Sequence, residues 1–173
     1  DGEWLAMVDA LIRPARSADL SALNEIYNHY VVATSTTFDV EASSLEARRT
    51  WFETFSEQGR HRLFTAERDG RIVGYAAGRP FRPKPAYDTS IETSVYLEPE
   101  STGTGIGTAL YSALFDALVG QDLHRAYAGI TLPNPASIAL HRRFDFEAIG
   151  IFREAGRKLG RYWDVQWFEK GLD

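Results

Sequence analysis

"TSVYLEPESTGTGIGTALYSALFDALV", residues 93–119, decides how the chain is read. It opens with strand-like alternation, passes through small and polar residues, and ends with the apolar spacing of an amphipathic helix. Gly103, Gly105 and Gly107 sit at the junction. A helix start offers unpaired N–H groups and the positive end of the helix dipole, and glycine lets a bulky anion approach the backbone. The pattern suits an anion, with phosphate the usual case.

Three phosphate loops compete for this stretch. A Walker loop ends in Gly-Lys-Ser or Gly-Lys-Thr, but no lysine occurs between Lys84 and Lys158. A dinucleotide fingerprint reads G-x-G-x-x-G, and Thr108 stands where its last glycine belongs. The third is the pyrophosphate loop that holds coenzyme A in acetyltransferases. An ordinary glycine-rich turn fits the loop taken alone equally well, so other residues must decide.

The chain has 173 residues, enough for one domain with a real core. Hydrophobic residues make up 44% and aromatic residues 13%, a globular composition. The net charge is −5 and no long basic run occurs, which argues against nucleic acid. With no cysteine there is no disulfide, thiolate metal site or cysteine nucleophile. His29, His61, His124 and His141 lack metal-ligand spacing, so no metal is expected. No apolar run approaches about 18 residues and no signal peptide is visible. No membrane partner is expected, and a soluble cytoplasmic protein is the default. Residues 1–10 lack a strong pattern and read as an N-terminal extension, partly a tag, before a domain over 11–173.

Outward from the loop, strand and helix signals alternate. "LIRPAR" (11–16) predicts a strand, and Ser17 or Asp19 can cap a helix over "LSALNEIYNHYVV". Ser43 and Ser44 precede a second helix, "LEARRTWFETFSEQ". "RLFTAER" and "RIVGYAAGRPF" flank Asp69-Gly70, a hairpin signal. "SIETSVYL" (90–97) is a strand before the glycine loop and its helix to about Val119; "RAYAGIT" (125–131) is the next strand. "NPASIALHRRF" (134–144) predicts a helix with Asn134 at the N-cap and Pro135 at its first position. "FEAIGIFREA" and "RYWDVQWFEK" read as two final strands. The order β-α-α-β-β-β-α-β-α-β-β makes one α/β domain with a mixed sheet.

Within the strand at 90–97, Ile91, Thr93, Val95 and Leu97 share one face, and Glu92, Ser94 and Tyr96 the other. A carboxylate inside a central strand is costly unless paired or used, so Glu92 is either a paired glutamate or a functional one. On the helix after Asn134, Ser137, Ile138 and His141 share a face with the cap. A lone histidine there is commonly a satisfied structural residue; it can also titrate near neutrality and exchange protons. Tyr111, one helical turn beyond Gly107, can belong to the core.

The element order, the glycine loop and the Asn-led helix resemble the GNAT acetyltransferase superfamily, and within it the phosphinothricin N-acetyltransferase group. The resemblance rests on "IYNHYVVATSTTF" (26–38), "AYDTSIETSVYLEP" (86–99), "TGTGIGTALY" (102–111), "LPNPASIALH" (132–141) and "GRYWDV" (160–165). It covers roughly residues 11–170 and implies a mostly antiparallel central sheet flanked by helices. It also implies acetyl-CoA as cosubstrate and a small amino-acid-like amine as substrate, of the phosphinothricin, methionine sulfone or methionine sulfoximine type. A homodimer is implied too. The coenzyme would lie against Val95, Tyr96 and Leu97, the loop Thr102, Gly103, Thr104, Gly105, Ile106, Gly107 and Thr108, and Asn134 and Ser137. Glu92 would help deprotonate the amine. His141 takes the place of the tyrosine in the common N-x-x-A-x-x-L-Y pattern and would act as acid or base. Phe38, Arg82, Lys84, Tyr87, Ser94, Thr131 and Val165 would contact the substrate. The usual loop begins with glutamine or arginine; here Thr102 holds that position, uncharged and shorter. Acetylation of a protein or peptide N-terminus, or coenzyme A binding without turnover, are the competing readings. The latter needs neither Glu92 nor His141.

Overall fold

Strands and helices follow one another in the expected order in the structure, a computed structural model that describes residues 8–172. Most of the expected extension over 1–10 therefore lies outside the described residues, although Val8 and Ala10 pack against the core. The elements are β1 (Leu11–Pro14), α1 (Leu20–Ala33), α2 (Leu45–Phe52), β2 (Arg62–Arg68), β3 (Arg71–Pro80) and β4 (Ser90–Leu97). They continue with α3 (Ile106–Leu118), β5 (Arg125–Thr131), α4 (Pro135–Arg143), β6 (Glu147–Lys158) and β7 (Arg161–Gly171). One 7-stranded sheet runs in the order β1-β2-β3-β4-β5-β7-β6. Every neighbouring pair is antiparallel except β4 and β5, which α3 links as a crossover.

The period of two along the strands divides the core into two layers. Ala76 and Ile91 face α3, packing with Ile106, Leu110, Tyr111 and Leu114. Tyr75 and Ala77 face the other way, against Leu23 and Ile26 of α1 and Trp51 of α2. The sheet is thus covered on both faces, which suits the continuous apolar run in β3.

Some boundaries differ from the sequence reading. The second helix ends at Phe52, six residues short of the expected Gln58. The Thr54 hydroxyl donates to the Trp51 carbonyl at 2.7 Å and competes with helix continuation, while Phe55 folds back against Trp51. Asp19 flanks α1 but makes no side-chain cap. Its carboxylate instead accepts from Arg13 at 2.8 and 2.9 Å and from the Arg16 N–H at 2.7 Å. Burial opposes ionisation of Asp19, but these donors win and lower its pKa. Ser44 and Asn134 do cap their helices, accepting from the N–H groups of Ala47 and Ser137 at 3.1 Å each.

Candidate active site

The ladder between β4 and β5 is short. It joins Ser90 to Arg125, Ile91 to Ala126 and Glu92 to Tyr127, and then stops. Beyond it β4 pairs only with β3, and β5 only with β7. The two strands splay, leaving a narrow cleft bordered by Val95, Tyr96, Ile130, Asn134, Ser137 and His141. Backbone groups facing the cleft lack ladder partners, a costly arrangement unless water or a ligand bonds to them. Tyr30 meets part of that need, donating its hydroxyl to the Leu97 carbonyl at 2.6 Å. The cleft opens into a cavity of about 580 Å³, with Thr93, Ser94, Tyr96, Gly129 and Thr131 bordering both spaces.

At the end of β4 the glycine loop turns into α3. Gly103 and Gly105 have φ of +74° and +85°, where other L-residues are strained. Nothing lies within 4 Å of a Cβ built on Gly103, so the loop surface there is open to a ligand. Thr102 and Thr104 turn their hydroxyls inward: Thr102 donates to the Pro99 carbonyl at 2.8 Å and Thr104 to the Ser101 carbonyl at 2.7 Å. Gly107 differs from the other two. A Cβ there would stand in ordinary contact, 3.5 Å from Leu140 and 3.8 Å from Leu97, and would point into the core rather than toward the loop surface. Arg143 reaches from α4 toward the mouth of α3, with Nη1 3.5 Å from the Thr108 hydroxyl.

Glu92 lines the cavity and accepts from Arg79, its cross-strand neighbour on β3, at 2.8 Å. His141 is 3% exposed, so its proton assignment follows from its partners. Nδ1 lies 2.7 Å from the Ser137 carbonyl, which can only accept, so Nδ1 carries hydrogen. Nε2 therefore holds the lone pair that accepts the Tyr111 hydroxyl at 2.9 Å. Tyr111 Oη is in turn 3.3 Å from Thr93 Oγ1. A chain of exchangeable hydrogens thus runs from the cavity wall at Thr93, through Tyr111, to His141. Burial lowers the pKa of His141 and outweighs the Ser137 carbonyl, so the ring is neutral at pH 7. Burial also keeps the Tyr111 phenol protonated well beyond the usual range.

Residues 12–167 match the acetyltransferase (GNAT) domain. The chain belongs to the GNAT acetyltransferase family. A phosphinothricin N-acetyltransferase of Streptomyces coelicolor is 52% identical to it over 163 residues, 93% of this chain and 95% of the relative. An L-methionine sulfoximine/L-methionine sulfone acetyltransferase of Pseudomonas aeruginosa is 36% identical over 166 residues, 96% of each chain. The crystal structure of a GNAT superfamily phosphinothricin acetyltransferase from Sinorhizobium meliloti in complex with AcCoA superposes with a TM-score of 0.89. That match has 34% identity and covers 95% of this chain and 89% of the other.

Within this GNAT domain, the residues expected at the site fall into two groups. Phe38, Glu92, Ser94, Thr131 and Val165 line the cavity together. The Phe38 ring lies on Gly156, where any Cβ would collide with it. Its loop is tied down by Lys158, which donates to the Thr37 carbonyl at 2.7 Å and the Tyr30 carbonyl at 3.5 Å. Arg82, Lys84 and Tyr87 are exposed and do not line the cavity. Arg82 instead lies over Phe81, 4.8 Å from the ring centre, and Tyr87 meets the same ring edge-on.

Sequence reasoning missed several cavity residues: Arg79, Arg48, Tyr27, Trp51, Phe152 and Trp167. Arg48 reads in the sequence as an ordinary helix cation, and it is buried only because Tyr27 and Trp51 pack on its two faces. Arg79 carried no signal either, since only the β3–β4 register sets it opposite Glu92. Among the described residues no cluster of His, Asp or Glu suits a metal ion, and no helix is long and apolar enough to cross a membrane. A second groove, of about 940 Å³, lies between α1 and the β2–β3 turn. Its charges largely satisfy one another, as Arg13 with Asp19 and Glu67, and Arg71 with Glu98.

Proposed function

We propose that this chain is an acetyl-CoA-dependent N-acetyltransferase for the amine of a small amino-acid-like substrate, of the phosphinothricin, methionine sulfone or methionine sulfoximine type. One observation carries this reading: the β4–β5 splay joins an open glycine loop at a helix start to a half-open cavity that contains Glu92. The relatives named for those amino acids support the substrate class. The loop N–H groups and the α3 dipole hold the coenzyme phosphates. Arg143 adds a charge that Thr102 lacks.

Acetyl-CoA supplies an activated acyl group as a thioester; the amine forms the new N–C bond, the C–S bond breaks, and one proton passes from nitrogen to sulfur overall. The protein aligns the two reactants, which accounts for a large share of the acceleration. N–H groups freed in the splay stabilise charge on the carbonyl oxygen. Glu92, anchored by Arg79, orients the amine and accepts its proton directly or through water. Neutral His141, at the end of the Thr93–Tyr111 chain, is poised to accept a proton rather than to donate one.

We further propose a cytoplasmic homodimer. The edge strand β6 leaves Ile149 and Phe152 50% and 55% exposed, an apolar surface suited to a second copy. Arg82 and Lys84 stand outside their own chain's cavity, so service as carboxylate ligands requires their loop to face the cavity of that copy.

Thiol release from acetyl-CoA, measured against phosphinothricin, methionine sulfone, methionine sulfoximine, free amino acids and peptide N-termini, tests the reading. Turnover is expected with the first three and not with peptides. Absence of thiol release with every amine would overturn it.

A further inference from the structure

The substrate cavity contains a buried cation that has no acid. Arg48 is 4% exposed and is the only buried residue of α2. Its Cζ lies 4.1 Å from the centre of the Tyr27 ring and 4.5 Å from that of Trp51. Nε donates to Asn24 Oδ1 over a long 3.4 Å. Among the described residues no carboxylate lies within ion-pair distance of it, whereas the cavity's other arginine, Arg79, is bound to Glu92. Asp39, the remaining acid on the cavity wall, accepts the Tyr27 hydroxyl.

A buried charge is costly unless it is paired, and a guanidinium offers five N–H donors in one plane. The two aromatic rings return part of that cost through their π faces, but they give the in-plane N–H groups nothing to bond. Tyr75, whose hydroxyl is within reach of an Arg48 donor, and Tyr96 stand beside it in the cavity lining, and burial raises the pKa of both phenols, so both stay neutral and neither supplies a counter-charge. This corner of the cavity is complementary to an oxyanion.

We infer that Arg48 is a specificity-determining residue that seats an oxyanion of the amino substrate inside the cavity. The inference rests on the proposed N-acetyltransferase reading and deepens it by stating what the substrate must carry besides its amine. The oxyanion is either the α-carboxylate or a group at the side-chain tip, and the seat's chemistry is the same for both.

The test compares kcat/KM for wild type and Arg48→Met on three amines. Phosphinothricin has both oxyanions, its α-carboxamide has only the phosphinate, and norleucine has only the carboxylate. The variant should lose roughly 10- to 100-fold on any substrate that uses the seat, as expected for a shielded charge-assisted hydrogen bond, and little on one that does not. Loss on phosphinothricin and its amide assigns the seat to the side chain; loss on phosphinothricin and norleucine assigns it to the α-carboxylate. An equal loss on all three would reduce Arg48 to a packing residue and overturn the inference. Arg48→Lys, which keeps charge and stem but not the planar fork, should recover part of the selectivity. If neither variant folds, wild type decides alone. A deaminated phosphinothricin analogue should then inhibit competitively against the amino substrate, and its doubly neutral amide should not. Equal inhibition by both would overturn the seat. Wild type inactive toward every amine would instead refute the acetyltransferase reading.

Discussion

Tyr111→Phe removes one oxygen from the centre of the site and little else. The Tyr111 ring is fully buried against Phe115, Phe144 and His141, and the phenyl group keeps that packing. What disappears is the donor to His141 Nε2, 2.9 Å away, and the link to Thr93. A buried nitrogen left without a partner costs about 1–3 kcal/mol, so the melting temperature should fall by a few degrees, measurable by calorimetry. The kinetic effect has a separate sign. The Tyr111 hydroxyl donates to neutral His141 but could also turn to accept from the protonated ring; the cation loses the stronger bond when it is removed, so the pKa of His141 should fall further. If catalysis needs neutral His141, kcat in wild type falls on the acid side, below the ordinary imidazole range, because burial lowers this pKa. In Tyr111→Phe that acid limb should move to still lower pH. With the proton path cut at its middle, kcat on the plateau should drop by roughly 10²–10⁴, the range for general acid–base groups. Steady-state rates between pH 5 and 8, with acetyl-CoA saturating, read both effects. An unshifted limb with an unchanged plateau would refute the path and leave the Thr93–Tyr111–His141 chain as core hydrogen bonding.

Other perturbations address separate parts of the site. Gly105→Val forces a β-branched residue into φ +85° at the start of α3 and should weaken acetyl-CoA binding at least about tenfold by calorimetric titration. Gly107→Ala, whose Cβ would make an ordinary 3.5 Å contact, should bind nearly as wild type; equal losses in the two variants would contradict the loop geometry. Glu92→Gln should lower kcat by roughly 10²–10⁴ while stability hardly changes, because its partner Arg79 is 47% exposed and such pairs contribute at most about 1 kcal/mol; a near wild-type kcat would leave Glu92 a cross-strand ion-pair partner only. For stability against pH, the folded chain holds His141 neutral below the pH at which the unfolded chain protonates it. Stability should therefore be constant above about pH 6.5 and fall below it, by up to about 1.4 kcal/mol per pH unit for one proton. His61, lowered by burial and by Arg60, acts in the same direction, so His141→Gln should flatten the slope only in part. A slope the same as wild type in that variant would refute the buried neutral assignment.

Residues whose role follows from local pattern were legible, and residues whose role follows from pairing across the sheet were not. The loop could be read because a helix start and φ > 0 each leave a sequence signature, glycine at 103 and 105 and apolar spacing after 106. Asn134 could be read because a cap acts three residues ahead in the same chain. Glu92 was half legible: strand alternation assigns its face, but its ion pair with Arg79 depends on the β3–β4 register across the connection 81–89, which carries no register signal. The basic loop shows a different limit. Arg82 and Lys84 look like an anion site because they are close in sequence, yet the chain turns outward there at Pro85–Tyr87 and leaves them exposed. Arg48 looks like a solvated helix cation, yet α1 and β3 close over it with Tyr27 and Tyr75. Proximity in sequence therefore does not tell which cations border this chain's own cavity. The feature that separates the two kinds is desolvation: an exposed arginine is hydrated and needs no partner, whereas a buried one retains an unmet demand for an anion. Only the fold reveals which arginines are desolvated, and Arg48 is one whose demand no residue of the described chain meets.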